Sequence, residues 1–472
     1  MRRPASSVLL ALASLGLALP LAAAQLEETE GGEEEQAASA ETPPPLMDLA
    51  AMLRVAERSY PGLRAAQART RAARAQLDEA WVSPFFQGTV SAGISLAPEL
   101  RGSPIFSPDT QFPVDNAWQP VLGFQIEGAI PLWTFGKLPA LRDAARAGIR
   151  AAESDHARVR AQLRYDVRRA YFALQLALDI EQMLDEGLPQ LHQASDNRAE
   201  QLAQGSTEVT EMDRWRLEAA LAEVEARRAD AARLEGSARA ALRILTGLRE
   251  FRIPECPIEP AQARLQELHH YVTRAHSDRP EVRMLEAAVR ARQASLDIAQ
   301  ASFFPDLALA YRFATTWSPG ITDQTNPFVI DPANYTNLTA GLVVRWSLDL
   351  WGNAYRVDRE SALLEDTRNR SSEAARGIEL EVSDAYEAVR AAQRQVETWE
   401  RGRRQTRAWF IAAAQGRDVG TVEPRDLVDA VRSYFTARYG HLQAIHDFNV
   451  GLANLERTSG TQVAELWEPA CE

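Results

Sequence analysis

Among the side chains able to bind a metal, hold a thiol or move a proton, histidine and cysteine are scarce, at seven and two residues. His269-His270-Tyr271 and His276 lie near the middle of the chain, and His441 and His446 near its end. Ligands on one helix face recur three or four residues apart, so His441 and His446 are poorly spaced for a shared ion. Neither an HExxH nor a CxxC motif occurs. Cys256 and Cys471 leave two readings open, one disulfide or two free thiols; two cysteines do not make a disulfide scaffold. No phosphate-cradling glycine loop and no nucleophile–base set is recognisable, so the sequence predicts no cofactor and no enzymatic activity. A net charge of -13 argues against a nucleic-acid partner, because phosphate binding needs clustered Lys and Arg.

The elements that would position any functional group begin with an address. Arg2 and Arg3 precede an apolar run from Val8 to Leu21, and Ala22-Ala23-Ala24 offers small residues before Gln25. This is the layout of a signal peptide over residues 1–24, with an apolar run of about 14 residues, shorter than a spanning helix. No cysteine follows the small residues, so no lipid anchor is expected there. Residues 25–46, rich in Glu, Ala, Thr and Pro, read as a disordered acidic leader.

Beyond the leader the chain repeats itself. Tyr60-Pro61-Gly62-Leu63 opens one helical run and Arg279-Pro280-Glu281-Val282 another; Ser83-Pro84-Phe85 and Phe304-Pro305-Asp306 close them. Leu132-Trp133-Thr134-Phe135-Gly136 is echoed by Leu348-Asp349-Leu350-Trp351-Gly352, Val167 and Tyr171 by Val382 and Tyr386, Gly205 by Gly420, and Leu245-Thr246-Gly247 by Thr458-Ser459-Gly460. The offset stays near about 215 residues, which marks a tandem duplication far longer than a solenoid repeat. Residues 47–250 form the first repeat, 251–268 a linker, 269–460 the second repeat and 461–472 a tail. Each repeat ends in a helical hairpin, expected at about 137–247 and 353–459. The first arm of each is long enough to span roughly 100 Å. Leu163, Val167, Ala170, Leu174 and Leu178, and Val382, Ala385 and Ala388, recur at helical spacing and suit coiled-coil packing. Pro189 is the one interior proline expected to kink a long arm.

Four runs alternate instead with a period of two. They are expected at about 85–97, 119–133, 306–317 and 337–350. Val90, Ile94 and Leu96 oppose Thr89, Ser91 and Ser95; Leu122, Phe124 and Ile126 oppose Gln125 and Glu127. Leu307, Leu309, Tyr311 and Phe313 oppose Ala308, Ala310 and Arg312; Leu338, Leu342, Val344, Trp346 and Leu348 oppose Thr339, Arg345, Ser347 and Asp349. Their length suits tilted membrane-spanning strands, and Phe85, Trp118, Trp133, Trp317, Trp346 and Trp351 suit interfacial girdles. A soluble sheet with one buried face explains the alternation equally well. What favours the membrane is the whole arrangement: four strands cannot close alone, so copies must join, two giving eight strands and three giving twelve.

Taken together, the duplicated plan, the proline before each first strand, Phe135-Gly136 with Trp351-Gly352, and the segment Gly420-Thr421-Val422-Glu423-Pro424-Arg425-Asp426-Leu427-Val428-Asp429-Ala430 resemble the outer membrane efflux protein (TolC) family, from about Met47 to Gly460. The resemblance implies a mixed α and transmembrane β fold, TolC-like and internally duplicated. It implies a homotrimer with one twelve-strand β-barrel in outer-membrane lipid, continued by a twelve-helix periplasmic α-barrel. It further implies a periplasmic adaptor protein and an inner-membrane pump of RND or ABC type. The family's tip turns match Gly205, Gly420 and Thr421, and its aperture aspartates match Asp426 and Asp429. In three copies these would form two carboxylate rings attracting cations; plain solvation of a helix start remains the other reading. Val422 stands where the family's best-known member has a basic gating residue, and Arg425 is the candidate substitute. The function expected is a passive conduit from periplasm to exterior, and the alternative is a soluble periplasmic coiled-coil scaffold.

Overall fold

The computed structural model describes residues 44–85, 87–99, 118–204, 210–321, 323, 331, 333–418 and 424–467. The first repeat runs α1 (Leu49–Ser59), α2 (Pro61–Val82), β1 (Gly88–Pro98), β2 (Trp118–Trp133), α3 (Lys137–Ala203) and α4 (Glu211–Thr246). A linker carrying β3 (Gln262–Ala263) leads to the second: α5 (Leu268–Asp278), α6 (Pro280–Ala301), β4 (Asp306–Trp317), β5 (Tyr335–Arg345), α7 (Leu350–Asp418) and α8 (Pro424–Ser459). A short β6 (Ala464–Leu466) follows.

Corresponding elements match in length: 11 residues for α1 and α5, 22 for α2 and α6, and 36 for α4 and α8. The long arms have 67 and 69 residues, about 100 Å each at 1.5 Å per residue. Pro61 and Pro280 open α2 and α6 at positions where a missing N–H costs nothing. Gly247 and Gly460 follow the return helices with φ of 75° and 72°, the left-handed conformation a helix terminator needs. At Gly460 a side chain would also press on the backbone of Arg279, so the end of α8 rests against the start of α6. α3 continues helically through Pro189.

The four long strands form one antiparallel sheet in the order β1-β2-β4-β5. Two strand ends differ from the sequence reading. Phe85 belongs to a 3-10 turn, and β1 begins at Gly88. β5 stops at Arg345 because the next residues serve α7. Asp349 accepts the Gly352 N–H at 3.0 Å and the Asn353 N–H through its carbonyl, and Trp346 Nε1 donates to the Phe303 carbonyl at 3.0 Å. The two aromatic-glycine pairs therefore differ in conformation. Phe135 and Gly136 have positive φ before α3, whereas Trp351 and Gly352 lie inside the first turn of α7.

Along the long arms, Leu163, Val167, Ala170 and Leu174 are buried as their spacing predicts, joined by Tyr171 and Phe172. On α7 the stripe runs Val382, Ala385, Val389, Ala392; Ala388 is exposed, since a 3.6-residue period lands on Val389. Around the middle of the hairpins, α1, α5, the linker and the β3–β6 pair form a belt. Fully buried Asn449 fastens it: its Oδ1 accepts the Ala261 N–H at 2.8 Å and its Nδ2 donates to the Glu259 carbonyl at 2.8 Å. Asp179 fastens it again, accepting the Ile258 N–H at 2.7 Å.

Candidate functional site

The sheet is the first functional surface. Its register aligns the apolar positions of all four strands on one face, for example in the row Val90–Ile126–Phe313–Leu338. On the two edge strands this face is bare, with Val90 64%, Ile94 72%, Leu338 75% and Leu342 69% exposed. Phe124 and Phe313 meet edge to face at 6.3 Å, and Tyr311 lies over Gly128, where a Cβ would sit 2.5 Å from its hydroxyl. The opposite face is polar: Thr89, Glu127, Arg312 and Thr339 stand in one transverse row. Within the described residues, the outer edges of β1 and β5 pair with nothing. Where strands meet helices, Trp133, Phe135, Phe304, Trp346 and Trp351 are exposed, with Phe135 stacked on Phe304 at 5.3 Å. No described helix is long and apolar enough to cross a membrane.

The far ends of the hairpins are the second surface. Gly205, Gly420, Thr421 and Val422 lie outside the described residues. Asp426 and Asp429 are on α8, one turn apart and both exposed, while Ala430 is buried. Arg425 Nε stands 3.9 Å from Asp426 Oδ1, a loose and solvent-exposed pair. Further along, α8 is tied to the first hairpin by Arg432 to Glu223 at 3.1 Å, Arg438 to Glu186 at 2.5 Å, and Arg227 over the Tyr439 ring at 5.3 Å. Gly187 admits the Phe435 ring, which a Cβ would meet at 2.7 Å. These cross-repeat contacts were not legible in the sequence, because nothing local says which charges on two distant helices face each other.

The remaining candidates resolve into local contacts. His441 Nε2 lies 3.2 Å from Glu400, with burial pushing its pKa down, and His446 lies 3.0 Å from Asp447. His270 packs edge to face on Tyr271. No group of three or more His, Cys, Asp or Glu suited to a metal occurs among the described residues. Cys471, the second cysteine of the chain, lies outside the described residues.

An open-edged sheet with one lipid-compatible face, carried on paired helical hairpins about 100 Å long, defines a subunit of a membrane β-barrel with a helical extension. The chain belongs to the outer membrane efflux protein family, whose profile matches residues 52–248 and 272–461, one segment in each repeat. As a member of it, this is an outer-membrane protein. The probable outer membrane lipoprotein SilC of Salmonella typhimurium is 28% identical over 251 residues, covering 52% of this chain and 51% of that protein, so the chain spans about half the length of this relative. The open state of the Neisseria gonorrhoeae MtrE outer membrane channel superposes with a TM-score of 0.71 at 18% identity, covering 89% of this chain and 91% of that one. The Campylobacter jejuni CmeC outer membrane channel gives 0.69 at 16% identity, with 94% and 95% covered. At these identities the two structures show a shared TolC-like fold.

Proposed function

We propose that this chain is one of three identical subunits of an outer-membrane efflux conduit, a passive path from periplasm to exterior. The observation that carries the reading is the bare apolar face of a sheet whose two edges are unpaired. Unsatisfied edge groups cannot sit in hydrocarbon, so copies must join β5 of one to β1 of the next. Three copies give twelve strands, with the apolar face outward and the polar row inward. The long hairpins continue this wall into the periplasm. A soluble scaffold has no use for an exposed sheet of Val, Ile and Leu.

Energy and cargo selection then belong to partners of stated kinds, a periplasmic adaptor protein and an inner-membrane pump of RND or ABC type. At the periplasmic end Asp426 and Asp429 form two rings of carboxylates, which concentrate cations at the entrance. Residues 1–24 serve as the signal peptide, and Cys256 pairs with Cys471, tying the linker to the tail. Mass mapping of proteolytic fragments with and without reductant reads that pairing directly: a linked fragment supports it, and two free thiols overturn it.

The conduit is tested by conductance of the purified full-length protein in planar lipid bilayers. Discrete ion channels are expected. Asp426→Asn with Asp429→Asn should lower cation preference without loss of the channel. Protein that integrates yet passes no current contradicts the reading.

A further inference from the structure

On the polar face of the sheet, two opposite charges stand at one level, midway along the strands. Thr89, Glu127, Arg312 and Thr339 make one row across all four strands. To one side the next row is Ser91, Gln125, Ala314 and Asn337; to the other, Ala129, Ala310 and Gly341. Arg312 is exposed in the middle of a strand whose other interior residues are half-buried or buried. Glu127 is exposed as well.

These two opposite charges sit directly across from each other in the register, yet each is bonded to Gln125. Arg312 Nη2 donates to Gln125 Oε1 at 2.9 Å, and Gln125 Nε2 donates to Glu127 Oε2 at 2.7 Å. The amide thereby occupies one hydrogen-bonding edge of each ion. Both residues are otherwise exposed to solvent, and each keeps hydrogen-bonding capacity beyond that one bond.

We infer that Glu127 and Arg312 form a charge-balanced ring inside the barrel that holds ion preference near neutral there, separate from the aspartates at the helical end. This rests on the proposed trimeric conduit, which puts the polar face in the lumen and repeats the pair three times. The ring takes small ions of both signs. Carboxylates favour cations and guanidiniums favour anions, and with equal numbers the two effects offset. Removing either sign unbalances it. Three unit charges at about 10 Å from the axis in water, screened at 0.1 M salt, change the local cation-to-anion ratio about fourfold.

The test is the reversal potential of the full-length protein in planar bilayers under a KCl gradient near 0.1 M. Arg312→Gln should raise the potassium-to-chloride permeability ratio about fourfold, Glu127→Gln should lower it by a similar factor, and the double variant should return to the original ratio. At 1 M salt the shifts should shrink. Single variants that conduct with an unshifted ratio overturn the ring while leaving the conduit intact. Shifts of one sign in both single variants also overturn it. Absence of any channel in the unsubstituted protein removes the conduit and the ring together.

Discussion

Arg168 and Glu456 stand 288 residues apart in the chain and 2.9 Å apart in the fold. One is on α3 of the first repeat and the other on α8 of the second, and Arg168 is almost wholly buried. Trp467, just past β6, covers the guanidinium at 4.1 Å and leans on Phe172. Burial pushes the Arg168 pKa down, while Glu456 acts against that shift by attraction and hydrogen bonding. The C-terminal segment thus closes over the charge that joins the two halves.

Truncating one partner of such a pair is more harmful than replacing both. Glu456→Gln should destabilise by about 3–5 kcal/mol, since a buried cation is left without its counter-charge. The double replacement Arg168→Met with Glu456→Leu should cost less, because it removes both desolvation penalties. Thermal unfolding of the detergent-solubilised protein ranks the two. A double variant worse than Glu456→Gln would show that the pair itself supplies net stability.

Asn449 should be as sensitive for a different reason. Asn449→Ala leaves the Ala261 N–H and the Glu259 carbonyl without their side-chain partner in a buried site, at about 1–3 kcal/mol for each stranded group. Asn449→Asp keeps the acceptor and loses the donor. It should still lower the melting temperature and expose the linker near Pro260 to limited proteolysis. An unchanged cleavage pattern would mean that the linker is held by other contacts.

Asp179 gives the fold a pH dependence. Burial raises its pKa to about 6 from the ordinary 3.8, against the opposing effects of the Ile258 N–H and Arg438. A carboxyl that is more basic in the folded state favours folding when protonated. That contribution is complete below about pH 4 and is lost as pH rises through about 6. Asn at this position keeps the oxygen acceptor and carries no charge to desolvate. Asp179→Asn should therefore be more stable than the unsubstituted chain at pH 8, by about 3 kcal/mol, with the gap closing toward pH 4. Melting curves across that range check it, and a gap that widens toward pH 4 would reverse the assignment.

Much of this architecture was legible in the sequence, because its signals are periodic. Alternation in Leu307 to Phe313 and helical spacing in Leu163 to Leu174 reflect which face is apolar, which a sequence displays directly. Strand ends were less legible. Ser347 and Asp349 continue the alternation beyond Arg345, but Asp349 caps α7, and a hydrogen bond to Gly352 outweighs a pattern. Least legible were the contacts between repeats. Asp426 and Asp429 could be placed on one helix face from their spacing, whereas Arg432 with Glu223 and Asn449 with Ala261 required knowing how helices far apart in the chain lie together. Gln125, Glu127 and Arg312 were each assigned to a polar strand face, but only the register β2–β4 shows that they meet.

The central claim is that separate chains complete one barrel in the outer membrane. Fractionation of cells expressing the full chain, followed by gel electrophoresis of unheated and boiled membrane extract, tests it most directly. The expected band requires detergent for extraction, runs near three chain masses when unheated and collapses to one on boiling. A freely soluble periplasmic monomer would contradict it.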